Sequence, residues 1–277
     1  MLFIVPRYDI IHFHTVPGRS ITMQMPVFLY SLLWKKKTIV HIHVGNQLLE
    51  YPNDNMFKYV LKKATKVVVL ANVLKDLMKE HYNIDTDVLY NPIEEHPPRD
   101  KSKIEKKVFF AAYLTLNKGY DTLLKAFKEV SIKHPDWKLI LAGSGETENT
   151  RRLINELSIE NNVELHLWLN KEQMSEFYKK VSIYCIASKQ EGFPMTFLEA
   201  ASYGVPIVTT PVGGLVDIID NEKNCMIFDY GNHKMLAEQI CKLIENQSLQ
   251  EEISKNITLV VKEKFLISAI DKDIQDL

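Results

Sequence analysis

Short apolar runs alternate with amphipathic segments along most of the chain. Segments with helical periodicity are predicted at about 20–34, 58–64, 72–81, 120–133 and 233–245, and a terminal helical stretch follows them. The apolar runs are typical of buried strands, and they lie at 9–14, 38–43, 66–70, 87–90, 108–110, 138–141, 163–168, 181–186 and 205–209. Strands that alternate with helices build parallel sheets covered by helices. The pattern therefore predicts an α/β protein.

A polar, charged and proline-bearing segment, residues 94–107, interrupts this alternation once. Such composition is typical of a boundary between domains. We therefore predict one domain over residues 1–95 and a second over residues 96–260. A terminal helix over residues 261–277 is expected to pack back toward the first domain.

One stretch, residues 191–214, combines a turn, a helix, a strand and a glycine-rich loop in that order. Its sequence is EGFPMTFLEAASYGVPIVTTPVGG. The Gly192–Pro194 segment predicts a tight turn that opens a helix at Met195. In α/β sheets ligands bind outside the carboxyl ends of the strands, and free N–H groups at a helix start suit a phosphate. Glu199, one to two turns into the helix, is placed to reach a sugar hydroxyl.

Seven residues separate Glu191 from Glu199, and this spacing resembles the E-x7-E signature of retaining GT-B glycosyltransferases, specifically glycosyltransferase family 4. The resemblance implies an α/β, GT-B-like fold, in which two facing Rossmann-like domains with parallel sheets enclose a cleft. Family members usually begin with a βα unit and a Gly-Gly loop ahead of the strand that residues 9–14 resemble. The resemblance therefore implies a shortened, truncated acceptor-side N-terminal domain and a C-terminal nucleotide-sugar-binding domain.

The same resemblance assigns roles around the two glutamates. Glu199 is implied to hydrogen-bond the ribose hydroxyls of the nucleotide, and Glu191 to face the transferred sugar. The residues between them are implied to bind the sugar hydroxyls and the distal phosphate through backbone N–H groups or a hydroxyl; these are Gly192, Phe193, Pro194 (which has no N–H), Met195 and Thr196.

Lys118 stands between Asn117 and Gly119, directly before the helix predicted from Tyr120. A lysine beside a helix N-terminus supplies a positive charge for a diphosphate. The segment resembles the family's Gly-Arg-Leu…Lys-Gly motif, whose arginine position is Tyr113 here, so one of two expected cations is missing. Two further glycines, Gly143 and Gly145, match the family's Gly-x-Gly loop that shapes the nucleotide pocket.

Two His-x-His pairs, His12/His14 and His41/His43, lie on predicted strands, so each pair faces one side of its strand. Four imidazoles near strand ends could build a zinc or iron site, although a metal-dependent hydrolase would also need carboxylates there. The resemblance implies instead that His43 meets the transferred sugar. It places His14 and Arg19 on the acceptor side and requires no metal.

Composition and charge limit the partners and the cellular compartment that can be expected. The formal net charge of −1 argues against nucleic-acid binding. The three cysteines lack zinc-like spacing and Cys185 lies in an apolar run, which predicts buried thiols and a cytoplasmic, reducing compartment. The apolar start at residues 1–5 is too short for a signal peptide. Residues 26–34 followed by Lys35–Lys37 predict either an amphipathic helix on an anionic membrane surface or a core helix with a basic last turn.

Together these features predict a retaining glycosyltransferase without a cofactor. It would move a sugar from a nucleotide-diphosphate donor to a hydroxyl of a glycan or lipid-linked acceptor, as in cell-surface polysaccharide synthesis. A non-catalytic nucleotide-sugar-binding subunit, whose N-terminal domain a partner chain completes, is a second interpretation. A histidine-rich metal-dependent hydrolase is a third.

Overall fold

The computed structural model describes residues 5–51 and 54–275, with side chains left out at 46, 47 and 272–275. Residues 1–4 of the apolar start and the last two residues of the terminal segment therefore lie outside the described residues. Within them the chain forms two parallel sheets with helices on their faces, which confirms the predicted α/β class.

The first sheet contains four parallel strands among the described residues, in the order β1-β2-β3-β4. Its strands are β1 (Ile10–Thr15), β2 (Lys37–Ile42), β3 (Lys66–Val69) and β4 (Asp87–Val88). The helices that connect them are α1 (Arg19–Leu33), α2 (Asn55–Lys63) and α3 (Asn72–Tyr82). Because β1 forms one edge of this sheet, its residues Ile10, His12 and His14 are exposed.

The second sheet has six parallel strands among the described residues, in the order β10-β9-β8-β5-β6-β7. The strands are β5 (Glu105–Ala111), β6 (Lys138–Ala142), β7 (Val163–His166), β8 (Val181–Ile186), β9 (Ile207–Thr209) and β10 (Met226–Ile227). The helices are α4 (Tyr120–Lys133), α5 (Thr147–Leu157), α6 (Lys171–Lys180), α7 (Met195–Ser202), α8 (His233–Glu245), α9 (Gln247–Lys264) and α10 (Ile267–Gln275).

The bounds predicted for α4 and α8 agree with the structure, and α7 begins at Met195 as expected. Two helices, α5 and α6, were not predicted. Both are short, polar surface helices, and their fully buried residues are few: Thr150 and Ile154 in α5, and Tyr178 in α6. An apolar pattern that sparse does not separate a surface helix from a loop.

Buried side chains of the two sheets pack together. One cluster of buried side chains includes Phe13 and Val40 of the first sheet together with Phe109 and Tyr184 of the second. On the other face of the first sheet, Ile39, Val68 and Leu89 pack with Ile270 of α10. The last helix therefore covers the first sheet although it follows the second in the chain.

The surface of α1 is unusually apolar at its C-terminal end. Leu33 and Trp34 are 76% and 50% exposed, and the lysines at 35–37 follow directly. The proposed membrane contact of this segment stays a prediction. Among the described helices, none has both the length and the apolar character needed to cross a bilayer.

Candidate active site

Lys118 and Glu191 form a direct ion pair at the carboxyl end of the second sheet. Lys118 Nζ lies 2.6 Å from Glu191 Oε1, and the side chains are 27% and 15% exposed. Ser188 donates a second hydrogen bond to the same carboxylate oxygen at 2.7 Å. Two residues that are distant in sequence, and that were predicted to be catalytic, are thus brought into contact.

Backbone bonds fix the loops that carry this pair. Lys189 N–H donates to the carbonyl of Asn117 at 2.7 Å, which ties the loop before α4 to the loop after β8. The Thr210 hydroxyl donates to the carbonyl of Ser188 at 2.7 Å from the end of β9. The two loops are thus bonded to each other, and the loop after β8 is also bonded to the end of β9, which holds the backbone that carries the ion pair.

The loop after β2 of the first sheet packs against the backbone of Glu191. A Cβ added at Gly45 would lie 2.0 Å from the carbonyl oxygen of Glu191, and one added at Gly192 would lie 3.4 Å from the carbonyl oxygen of His43. Gly213 also packs tightly here, because its Cβ would lie 2.3 Å from the carbonyl oxygen of Gly192. Glycines at these three positions allow backbone from both sheets to meet at Glu191.

His43 follows β2 and keeps its backbone in register by donating to the carbonyl of Thr15 at 3.0 Å. Its Nε2 lies 2.7 Å from Nδ1 of His14, and which nitrogen donates depends on the tautomer. Burial, followed by the charges of His14 and His12, lowers the pKa of His43 to about 4. The ring is therefore neutral near pH 7. Arg19 lies exposed at the start of α1.

Glu199 of α7 faces a cavity of about 660 Å³. The Tyr178 hydroxyl donates to its Oε2 at 3.0 Å. Burial raises the pKa of Glu199, and the Tyr178 hydrogen bond and the charge of Lys171 oppose this effect. The cavity is also lined by Met195, His96 and Tyr203, and the His96 and Tyr203 rings lie 4.0 Å apart between centroids.

The residues between the two glutamates divide into ligand-facing and core positions. The Phe193 side chain is 6% exposed and its ring packs 5.3 Å from Phe265, so only its backbone is available to a ligand. Pro194 is the N-cap of α7, and Met195 and Thr196 occupy its first turn. First-turn N–H groups have no partner within their own helix, so this end of α7 can receive an anion.

The two glycines of the predicted nucleotide loop have backbone conformations that favour glycine. Gly143 and Gly145 have φ of 153° and 117°. A Cβ at Gly143 would lie 1.8 Å from the carbonyl oxygen of Ala112, and one at Gly145 would lie 2.5 Å from that of Leu114. The loop thus packs on the segment that contains Tyr113, whose side chain is 64% exposed. Gly143 and Gly145 therefore determine the shape of the loop and contribute no side-chain contact.

Sequence reasoning missed three residues that organise the site. Tyr178 holds Glu199, Ser188 holds Glu191, and Asp217 accepts hydrogen bonds from the N–H groups of residues 72 and 73 at the start of α3. Tyr178 lies in a helix that was not predicted. Ser188 stands three residues before Glu191, and its position directly after the apolar run of β8 is a signal that could have indicated it.

Comparison with known sequences gives a family match. The sequence model of the family described as "Glycosyl transferases group 1" matches residues 93–260, which is more than half of the 277 residues. An uncharacterized glycosyltransferase of Haemophilus influenzae is 28% identical over 243 residues, which are 83% of this chain and 68% of the relative. The capsular polysaccharide biosynthesis glycosyltransferase CapM of Staphylococcus aureus is 29% identical over 188 residues, which are 64% of this chain and 50% of the relative. The chain thus spans half to two thirds of these relatives.

Solved structures share the architecture. HepE of Anabaena, in complex with UDP and glucose, superimposes with a TM-score of 0.83 at 18% identity, covering 99% of this chain and 78% of HepE. A glycosyltransferase of Rickettsia africae gives a TM-score of 0.79 at 20% identity, covering 99% and 78%. At such identities the likeness shows the fold alone. The two-sheet arrangement is that of GT-B glycosyltransferase structures.

Proposed function

The chain belongs to the group 1 glycosyl transferases, and from this premise we propose that it moves a sugar from a nucleotide-diphosphate donor to a hydroxyl acceptor. We place it, more finely, in glycosyltransferase family 4, with retention of configuration at the transferred carbon. The observation that carries this proposal is the arrangement around α7. Glu199 faces a cavity on one side, and the Lys118–Glu191 pair lies at the loop before the first turn.

The donor would lie along α7, from Glu199 to the first turn of the helix. Glu199, kept in place by Tyr178, would accept hydrogen bonds from the ribose hydroxyls, since its half-buried carboxylate lines the cavity. The diphosphate would lie at the first turn of α7, where N–H groups and the Thr196 hydroxyl are available. Gly143 and Gly145 would shape the nucleotide pocket from the loop after β6.

Lys118 would stabilise the leaving diphosphate, an electrostatic role that commonly dominates such catalysis. Glu191 and His43 would face the transferred sugar, because the loops that carry them meet at Gly45 and Gly192. The acceptor hydroxyl would attack from the face that the diphosphate leaves, and a donor phosphate oxygen would take its proton. Transfer by this route needs no protein nucleophile and no metal.

The acceptor is proposed to be a glycan or lipid-linked precursor of a cell-surface polysaccharide. The name of the Staphylococcus aureus relative supports this class. The exposed Leu33 and Trp34, followed by Lys35–Lys37, suit peripheral contact with an anionic cytoplasmic membrane surface. We retain the division into an acceptor-side domain (1–95), a donor domain (96–260) and a terminal segment (261–277). In place of the single helix predicted there, the described part of this segment holds the end of α9 and α10. The contact of Ile270 with the first sheet supports its packing toward the acceptor-side domain.

A second candidate is a partner-dependent nucleotide-sugar-binding subunit. It is favoured by the exposed edge of β1 and by Tyr113 at the position where the family pattern has an arginine. Such a subunit would bind the donor and transfer no sugar until a partner chain paired with β1. Donor binding alone does not separate the two candidates, whereas turnover by the isolated chain does.

Donor binding is tested by thermal unfolding with UDP in a chelator-containing buffer. At a UDP concentration about 100 times the Kd, binding adds about 2.7 kcal/mol to the free energy of unfolding. The expected rise in Tm is about 5 °C for a chain of this size. Glu199→Ala should abolish the rise, whereas Glu176→Ala, which removes an exposed glutamate of α6 that pairs with lysines, should keep it. If UDP, GDP and ADP all leave Tm unchanged, the proposed donor site is wrong.

A further inference from the structure

Four imidazoles lie together on one face of the first sheet. Strand alternation places His12 and His14 on the same side of β1, and the register pairs His14 with His41 of β2. The ring centroids of His12 and His14 lie 4.3 Å apart, and those of His14 and His41 lie 5.3 Å apart. His43 continues the group, with its centroid 4.3 Å from that of His41.

His41 is the innermost member, and its polar atoms are unsatisfied. The residue is 3% exposed, and among the described residues neither ring nitrogen has a hydrogen-bond partner. A buried polar atom without a partner costs about 1–3 kcal/mol, so native proteins rarely keep one without a ligand or a function. The ring of His41 is directed toward His12 and His14, which are exposed at the sheet edge.

We propose that His12, His14 and His41 bind one divalent transition-metal ion of the zinc, nickel or copper class. One nitrogen from each ring already lies within 4.8 Å of the other two. A tetrahedral ion with bonds of about 2.1 Å needs nitrogens roughly 3.4 Å apart, which small rotations of the exposed His12 and His14 rings provide. Imidazole ligands favour these ions over Mg²⁺ and Ca²⁺, which prefer oxygen.

A second group among the described residues, His134, Cys241 and Glu245, has a similar spacing but different chemistry. His134 Nε2 and Glu245, two of its three members, already bind each other at 3.0 Å, whereas His14 Nδ1 in the first group contacts His43, which is not one of the three proposed ligands. Burial raises the pKa of the Cys241 thiol, which disfavours the thiolate that a metal requires. This group therefore serves as the internal control.

The experiment uses the full chain without an affinity tag, stripped by a chelator and titrated with Zn²⁺ in a calorimeter. We expect one ion per chain and, with Co²⁺ in its place, the visible absorption of a tetrahedral nitrogen site. His12→Ala and His14→Ala should each weaken Zn²⁺ binding at least about 100-fold, since each removes a ligand. His134→Ala should leave the titration unchanged.

His41→Ala is a less decisive variant because the residue is buried, so the two exposed histidines carry the test. Their variants should keep the circular dichroism of the native chain, because both residues are exposed. The proposal is overturned if the native chain binds no Zn²⁺, or if the ion remains bound in both His12→Ala and His14→Ala. Binding lost only in His134→Ala would assign the ion to the control group and would equally overturn it. These outcomes are independent of whether UDP binds.

Discussion

At the scale of single residues, the pairing of Lys118 with Glu191 links two roles that were proposed separately. An ammonium and a carboxylate 2.6 Å apart neutralise each other. A diphosphate brings more negative charge than one carboxylate, so it would draw Lys118 toward itself and release Glu191 toward the sugar. The Ser188 hydroxyl would still hold Glu191 after that exchange.

This pairing leads to a prediction for Lys118. Lys118→Ala should lower the rate of UDP release from UDP-glucose, used as the test donor, by about 100- to 1,000-fold, as for the loss of one electrostatic stabiliser. Lys118→Arg should retain part of the rate because the charge remains. Lys125→Ala, which removes an exposed lysine paired with Asp121 in α4, should match the native chain.

A native rate in Lys118→Ala would remove this residue from the proposed mechanism. Turnover that survives when Lys118→Ala and Glu191→Ala are combined would remove both assignments. Steady-state measurement of UDP release checks each variant. Because this readout is turnover, it also separates a catalyst from a subunit that only binds the donor.

At the scale of secondary-structure elements, loops from both sheets are fitted together by glycines. Gly45 has a negative φ of −97°, and what glycine provides at this position is space. The carbonyl oxygen of Glu191 occupies the place that a Cβ would take. The loop after β2, which carries His43, is thereby held against the loop that begins α7.

Gly45→Ala should therefore separate these two loops. We expect a fall in turnover of about 10- to 100-fold, because displacements near 1 Å cost rates of that order. UDP affinity should change less than turnover, since the residues that line the Glu199 cavity do not include Gly45 or His43. Comparison of kcat with the UDP Kd measures the two effects separately.

The matched variant is Gly231→Ala. Gly231 has φ of 80° and no atom within 4 Å of an added Cβ, so its replacement adds backbone strain without a clash. It should lower stability by about 1 kcal/mol and leave turnover unchanged. If Gly45→Ala behaves like Gly231→Ala, the contact between the loops has no part in catalysis.

At the scale of the whole molecule, the last helix, α10, packs back against the first sheet. The side chain of Ile270 is 1% exposed and packs with Ile39 and Val68 of the first sheet. Together with the core cluster shared by the two sheets, this contact fixes how the halves face each other. The relative position of the two sheets thus depends on a helix that is far from the first sheet in sequence.

Ile270→Ala should lower the free energy of unfolding by about 2–5 kcal/mol, as for other large-to-small changes in a core. Ile267→Ala, in the same helix but 56% exposed, should change it by less than about 0.5 kcal/mol. Urea-induced unfolding measures both variants. Equal small effects would show that α10 does not hold the first sheet.

From the sequence alone, the α/β class, the start of α7 and the strands β1 to β9 could be predicted, whereas the two-residue strand β10 was not. These features are local, because apolar periodicity and the Gly-Pro turn depend only on residues that are close together in the chain. Glu191, Lys118 and Glu199 could be named for the same reason, since each lies in a short motif. The helices α5 and α6 escaped prediction because their buried sides are too small to give a pattern.

Only the tertiary structure decided which of these residues meet. The contact of Lys118 with Glu191, the Tyr178 bond to Glu199 and the packing of Gly45 on the loop after β8 join residues far apart in the chain. The two His-x-His pairs could be aligned on strands from sequence, but the register of β1 with β2 decided that they form one cluster. Register and loop contact depend on how whole elements pack, and no local pattern encodes that packing.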